Sequence, residues 1–335
     1  MNILIIGGTR FIGRHLVEAA LDSGHHVTLF NRGKTNPGIY PTVEEIHGDR
    51  DGGLDDLEGK QWDVVYDING YFPRIVRQSA EKLRNSVGRY VFVSSVSVYA
   101  DMVNQTSEAD APLHTLPDPT VEAITSSESY GGLKVLCEQT VTDIYGERGL
   151  IVRPGFVVGR YDYTLRLPYL VTRFKRGGER LAGRPEQSVQ FIHARDLGDW
   201  MVLAAQNALS GAYNLTGNPI PMHSLLDTIN AKVNVPNTII YTSDDFLEAH
   251  EVRQIDDLTF WVPKTAEGVM HVTIEKALNT GLTLRGIDTI IEDLVTWNSL
   301  DEQVTNAAGS PLGAPTTQAR EAELLTAWHS THPAA

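Results

Sequence analysis

The sequence predicts an α/β fold, a doubly wound parallel sheet with a smaller C-terminal α/β lobe, and three observations predict it. Short apolar runs rich in β-branched residues alternate with helix-period segments through the first half of the chain. A glycine-rich turn, Gly7 to Gly13, joins the first run to the first helical segment. Further on, a buried-looking strand, Val91 to Val93, breaks into hydroxyls at Ser94, Ser95 and Ser97.

In order, the strand-like runs are Asn2 to Ile6, Val27 to Phe30, Asp63 to Asp67, Tyr90 to Ser94 and Leu150 to Val152. Amphipathic stretches such as Ile12 to Ser23 and Arg74 to Arg84 lie between them. That alternation means parallel strands wrapped by helices on both faces. Right-handed crossovers then align the loops after the strands along one edge, where ligands bind. After Gly159 the pattern loosens into a basic, aromatic stretch reaching Arg184. A strand at Gln190 to His193, a helix at Asp196 to Ala205 and a strand at Ala212 to Leu215 then read as a return to the first domain. The expected division is a dinucleotide-binding domain of 1–159 with about 188–217, and a substrate lobe of about 160–187 with 218–300. A Gly/Pro/Ala-rich linker at 304–318 leads to a helical tail at 319–335, whose leucines and tryptophan pack back on the body.

Charge and cysteine content narrow the classes. The 42 acidic against 28 basic residues give a net charge of −14, which opposes binding to nucleic acid and to anionic membranes. The single cysteine, Cys137, excludes an internal disulfide and the usual zinc-ribbon spacings, and histidines and carboxylates show no metal-ligand spacing. The opening run MNILIIGG is too short for a signal peptide, and no apolar stretch approaches the roughly 20 residues of a membrane span. Cytoplasm is the expected location.

The turn Gly7-Gly8-Thr9-Arg10-Phe11-Ile12-Gly13 sits between a strand and a helix. Backbone N–H groups there converge with the helix dipole on a diphosphate, so this is the predicted pyrophosphate cradle of a Rossmann-type dinucleotide site. Gly7 permits the turn and Gly13 lets helix and strand approach. The end of the second strand selects the cofactor, because an acid there binds an adenosine ribose and a base binds a 2′-phosphate. Asn31 and Arg32 stand there, and Arg10 replaces the middle glycine of the turn. Two guanidiniums and no carboxylate favour NADP(H) over NAD, although Arg32 also reads as a solvated loop residue. Asp49 is a candidate acceptor for the adenine amino group, and Arg50 beside it is a further candidate cofactor-binding residue.

Tyr130 and Lys134 lie four apart at the start of a helix and so share a face. A neighbouring ammonium stabilises phenolate, which brings a tyrosine closer to acid or base work near neutrality. The serines at the end of the Val91 to Val93 strand stand where such sheets hold ligands, and serines there also serve as turn formers.

Together these features resemble the short-chain dehydrogenase/reductase superfamily, in its extended and atypical branches that include nucleotide-sugar epimerases. Carrying the resemblance are the glycine turn, Asp49, Ser94-Ser95-Val96-Ser97-Val98-Tyr99, Tyr130 with Lys134, Arg153-Pro154-Gly155 followed by Gly159, Phe191-Ile192-His193 before Asp196-Leu197, and Gly211 to Leu215. It implies Ser95 as the catalytic hydroxyl, Tyr130 as general acid/base, and Lys134 tuning Tyr130 and holding the nicotinamide ribose. Pro154, Phe156 and Val157 would meet the carboxamide, and the helix bearing Tyr130 would form a homodimer. Val96 and Ser97 replace the Asp-Glu pair of the 4,6-dehydratases, so dehydration is disfavoured. The Gly-Gly-Thr-Arg-Phe-Ile-Gly form is similar to a subgroup of reductases or epimerases that includes chloroplast stem-loop RNA-binding proteins.

Three expectations follow. The first is an NADP(H)-dependent oxidoreductase acting on a small-molecule substrate. The second is a nucleotide-sugar 4-epimerase with retained NAD, and the third a Rossmann scaffold reused for RNA. Arg160, Arg166, Arg173, Lys175, Arg176, Arg180 and Arg184, with nearby tyrosines, read either as a pocket for a phosphorylated or nucleotide-linked substrate or as a solvated helix face. His193 reads as structural, and Cys137 as a buried small hydrophobe.

Overall fold

The apolar run that opens the chain is a central strand, buried from Ile3 to Ile6. The structure, a computed structural model, describes residues 1–101, 107–254, 257–297 and 318–332. Its elements begin with β1 (Asn2–Ile6), α1 (Ile12–Asp22), β2 (His26–Asn31), β3 (Glu44–His47), β4 (Trp62–Asp67), α2 (Pro73–Leu83), β5 (Val87–Val93), α3 (Ser127–Tyr145) and β6 (Gly149–Pro154). They continue with β7 (Phe156–Val158), α4 (Arg166–Lys175), β8 (Gly178–Ala182), β9 (Ser188–Val189), β10 (Phe191–His193), α5 (Ala194–Gln206) and β11 (Gly211–Leu215). The remainder is β12 (Ile220–Pro221), α6 (Met222–Val233), β13 (Asn237–Tyr241), α7 (Asp244–Ala249), α8 (Glu275–Leu278), α9 (Ile287–Thr296) and α10 (Gln318–Thr331).

Seven strands form one parallel sheet in the order β11-β6-β5-β4-β1-β2-β3. The chain winds outward from β1 to β3, then crosses back to β4 and winds the other way. That reversal opens a crevice at the carboxyl ends of β1 and β4. The register pairs Ile6 with Asp67 on one side and with Phe30 on the other, so the glycine turn starts beside both strand ends.

Successive side chains of each strand face opposite ways and bury against different helices. Leu4, Ile6, Val65, Phe92 and Ile151 form one core with Val76, Ala80 and Leu83 of α2 and Val141 and Tyr145 of α3. Fully burying each such side chain stabilises by roughly 1.5–3 kcal/mol. Tyr66, pointing the other way, donates to the Met201 carbonyl of α5 at 3.1 Å. There α1 and α5 touch closely, since a Cβ on Gly198 would stand 3.0 Å from the His15 carbonyl oxygen. The edge strand β3 holds a single buried apolar residue, Ile46, too little to show as an apolar run.

The chain divides into two compact units. The first is Met1–Val157, Ile192–Gly217 and Val272–Leu284; the second is Val158–Phe191, Asn218–His271 and Arg285–Ala335. The stretch 272–284, expected in the second lobe, therefore belongs to the first unit. Its ties include Thr280 Oγ1, which accepts from Trp200 Nε1 at 3.3 Å, and the Thr273 carbonyl, which accepts from Asn214 Nδ2 at 3.3 Å. Periodicity could not reveal these side-chain bonds.

Within the second unit β8 pairs with β13 in parallel and β9 with β12 antiparallel. The basic run is largely taken up internally here. Arg160 pairs with Asp293, Arg173 with Glu321, and Arg184 with Asp244 and Glu267. The predicted linker at 304–318 lies outside the described residues except at its last position. Beyond it, Leu324 of α10 joins Leu181, Leu247, Val252 and Trp261 in an apolar cluster. No helix among the described residues is long and apolar enough to cross a membrane.

Candidate active site

At the end of β1 the backbone makes a turn that side chains resist. Gly7 and Gly8 sit at φ +116° and +100°, a region few L-residues adopt. A Cβ on Gly13 would lie 2.6 Å from Ile68 Cδ1 and 2.8 Å from Gly8 Cα, so α1 approaches the strand only because that position is glycine. Gly13 N donates to the Arg10 carbonyl at 2.9 Å, and Asn36 Nδ2 donates to the Thr9 carbonyl at 2.9 Å, bracing the turn from the loop after β2. Thr9 and Phe11 are buried, while Arg10 and Ile12 are half-buried. The first-turn amides of α1 sit at this turn, the geometry that favours an anion.

Around the end of β2 the candidates part company. Asn31 is tied locally: its Nδ2 donates to Glu45 at 2.7 Å and its Oδ1 accepts from Gly33 N at 2.6 Å. Arg32 is exposed and makes no hydrogen bond or ion pair with the described residues. Asp49 is exposed, with Oδ1 accepting from Asp51 N at 3.1 Å. Arg50 turns inward instead. Its guanidinium is gripped by Asp67 through bonds of 2.7 and 2.6 Å, so the charged end is already engaged beneath the sheet edge. Asp67 is fully buried and also accepts from Tyr90 Oη at 2.8 Å. Burial alone would raise the Asp67 carboxyl, but Arg50 and these hydrogen bonds hold it below the usual carboxylate range.

Ser95 follows β5 and caps a short turn over Val96–Val98, its Oγ accepting from Ser97 N at 3.1 Å. Tyr130 and Lys134 ride the first turns of α3, which starts in a capping box between Ser126 and Ser129. Two glycines bring that helix in: a Cβ on Gly131 would fall 2.0 Å from the Ser97 carbonyl oxygen, and one on Gly132 would strike Leu116. Lys134 is buried, and its ammonium donates to the Gly70 carbonyl at 2.8 Å and the Val93 carbonyl at 2.9 Å. It lies 4.9 Å from the Phe92 ring centroid, 5.0 Å from that of Tyr71 and 6.0 Å from that of Tyr130. Burial pushes its pKa down to about 8. The loop after β4, Ile68 to Tyr71, is thus part of the site, although no motif marked it; a buried acid ending a strand and followed by Asn-Gly was the available signal.

Other matched motif residues make hydrogen bonds within the fold. Arg153 makes a buried pair with Glu138 through bonds of 3.0 and 2.7 Å and donates to Tyr99 Oη at 3.1 Å. Tyr99 in turn donates to Asn214 at 2.6 Å, which ties α3, β6 and β11 together beneath the site. Gly155 N donates to the Leu215 carbonyl at 3.0 Å, which turns the chain after Pro154 toward half-buried Phe156 and buried Val157. His193 caps α5 through its Nδ1, and burial pushes the Cys137 thiol up to about 12.

A dinucleotide fits this edge on two observations. Gly7, Gly8 and Gly13 leave no room for a Cβ against Ile68, Leu29 and the Gly8 backbone, so the turn at the start of α1 carries no side chain at those positions, and the Ser94 hydroxyl, next to Ser95, is buried with no hydrogen-bond partner among the described residues. Among the same residues no group of His, Cys, Asp or Glu could hold a metal ion.

A reversing parallel sheet with a glycine turn at its switch point defines a Rossmann-type α/β protein. The profile of the NAD dependent epimerase/dehydratase family matches residues 3–216, and the chain belongs to that family. It is 27% identical over 242 residues to the chloroplast stem-loop binding protein of 41 kDa b of Arabidopsis thaliana, covering 64% of this chain and 58% of that one. This chain thus spans less than two thirds of that relative's length. In fold it is similar to the UDP-N-acetylglucosamine 4-epimerase from Bacillus cereus, with a TM-score of 0.65 at 17% identity over 93% of this chain and 99% of that one. It is also similar to MoeE5 in complex with UDP-glucose and NAD, with a TM-score of 0.61 at 20% identity over 89% and 98% of the two chains.

Proposed function

We propose that the protein is an NADP(H)-dependent oxidoreductase that interconverts a carbonyl and an alcohol on a small or nucleotide-linked substrate. The observation that carries this reading is the buried Lys134 ammonium, held by two backbone carbonyls beside the rings of Tyr130 and Tyr71. When bound, the nicotinamide supplies or accepts the hydride. Tyr130 gives a proton to the substrate oxygen during reduction and takes it back during oxidation. Lys134 places positive charge beside Tyr130 and so favours its phenolate. Ser95 Oγ, which donates to Ser97 Oγ at 3.1 Å, turns that proton to the oxygen of a bound substrate, while Ser97 N, donating to Ser95 Oγ, holds it in place. The glycine turn holds the pyrophosphate, Asp49 accepts from the adenine amino group, and Arg32 with Arg10 meets the 2′-phosphate. Arg50 supports the site through Asp67. The protein works in the cytoplasm as a homodimer through α3.

Replacing Tyr130 with Phe is expected to lower kcat at least 100-fold, the size of a lost general acid. Binding of NADPH, followed by fluorescence titration, should change by less than threefold and remain tighter than NADH. Unchanged turnover in Tyr130→Phe would remove the assignment. A purified protein that carries non-exchanging NAD, seen in its absorbance, would favour the 4-epimerase reading over the reductase.

A further inference from the structure

The second unit holds a charged site that the proposed chemistry does not use. Glu321 of α10 is buried, and its carboxylate accepts from two donors of the α4–β8 region. One is Arg173 Nε, and the other is the backbone N–H of Leu181 at 3.2 Å. Arg180 is only 3% exposed, lines the same cavity as Arg173 and Glu321, and its Nε is buried with no hydrogen-bond partner among the described residues. The cavity beside these groups measures about 40 Å³ and is walled on one side by Glu321 and Leu324. Asp257, the other acid on the wall, is already paired with Arg253 at 2.6 Å. Arg180 spends its terminal nitrogens on the Glu179 and Gly177 carbonyls and on Asn237 Oδ1 at 2.7 Å, so of the two buried guanidiniums only that of Arg173 is paired with a carboxylate, a balance that leaves room for more negative charge. Arg180 carries the mark of that imbalance: burial and the charges of Arg173 and Arg176 pull it down to about 10.

The carboxylate comes from a segment distant in sequence. Positions 173 and 321 are 148 apart in sequence, and α10 follows a stretch rich in glycine, proline and alanine. Leu324 is its one fully buried apolar residue; its remaining ties are largely at the rim, among them His329 with Glu179 and Trp328 against Phe246. A 14-residue helix is marginal on its own in water, so its order depends on this seat.

The geometry points to an oxyanion-binding pocket formed by Arg173, Arg180 and the Leu181 N–H, in which Glu321 is an internal stand-in that an external phosphate or carboxylate group displaces together with α10. A dianion answers two guanidiniums better than a single carboxylate does, and a planar guanidinium suits either oxyanion. The inference is independent of the oxidoreductase reading, since its readouts are anion binding and helix protection rather than turnover.

The test uses the full chain with inorganic phosphate, with acetate and sodium chloride at equal ionic strength as the other arms. By calorimetry, Glu321→Gln is expected to bind phosphate at least tenfold more tightly than the unaltered chain, and Glu321→Gln with Arg173→Gln should lose that gain. In the unaltered chain, saturating phosphate should speed hydrogen exchange across residues 318–331 at least fivefold, beyond the effect of chloride. Acetate matching phosphate in that assay would identify a carboxylate ligand; a weaker acetate effect identifies a phosphate. Equal phosphate affinity with and without Glu321, or exchange across α10 that responds to phosphate no more than to chloride, would show the pair to be a fixed staple and overturn the proposal. Should Glu321→Gln fail to fold, the exchange measurement on the unaltered chain decides alone.

Discussion

Lys134 shows most clearly how a single residue couples burial to chemistry. Its ammonium is buried among aromatic rings with two carbonyl acceptors, and its pKa falls to about 8 from the ordinary 10.5. Below about pH 8 both folded and unfolded chains hold this proton, and the folded state bears the full cost of burying the charge. Between about 8 and 10.5 the unfolded chain binds more protons, so this group makes stability rise with pH. Lys134→Met removes the term. Its stability relative to the unaltered chain is therefore expected to fall by roughly 3 kcal/mol between pH 7.5 and 10.5, the size set by such a shift, and urea unfolding across that range measures it. The Arg50–Asp67 pair poses the complementary case. Arg50→Ala leaves a fully buried carboxylate without its counter-ion, and breaking such pairs costs about 3–5 kcal/mol. Adding Asp67→Asn should recover much of that loss in chemical denaturation; no recovery would mean that packing, not charge, dominates.

Among the elements, α3 decides the site, and glycine decides where α3 lies. With Cβ clearance of only 2.0 Å at the Ser97 carbonyl, Gly131→Ala forces the helix and the turn after β5 apart. A stability loss of about 1–3 kcal/mol is expected, as in overpacked cores, together with a fall in kcat larger than any change in cofactor affinity. Steady-state kinetics beside cofactor titration checks this, and a loss confined to stability would separate packing from catalysis. This helix also marks what the sequence could show. Tyr130 and Lys134 were legible because helical spacing alone puts them on one face, and the central strands were legible because their apolar runs are buried on both sides. The pairing of Arg50 with Asp67 was not legible, because the two meet only where the chain crosses back from β3 to β4. The part played by Gly70 and Tyr71 was hidden for a similar reason: a backbone carbonyl that accepts from Lys134 leaves no trace in residue type. Edge strand β3 has one buried apolar residue, Ile46, and the stretch 272–284 is assigned to the first unit by contacts distant in sequence, neither of which periodicity detects.

At the scale of the whole molecule, the surface charge and the basic run set the terms for partners. The −14 balance repels a polyanion, and three of the arginines of the second unit that suggested a basic face, Arg160, Arg173 and Arg184, are paired internally with carboxylates. The stem-loop binding relative nevertheless makes RNA a reading to test. A filter-binding titration of stem-loop RNA from 50 to 200 mM salt should give only weak retention, without the steep salt-dependent affinity loss of a protein neutralising many phosphates. Tight, steeply salt-dependent binding would reverse that expectation.

The division of the first unit into three stretches of chain has a consequence during synthesis. Strand β11 lies against β6 in register from Gly211–Leu150 to Leu215–Pro154, yet dozens of residues of the second unit are made between them. Until β11 emerges from the ribosome, β6 is an open edge with unpaired amides and carbonyls, the kind of surface that recruits another strand. A growing chain halted after α4 would present that edge unpaired, and its hazard is aggregation rather than slow folding. The last piece, 272–284, joins the first unit only after most of both units have been translated.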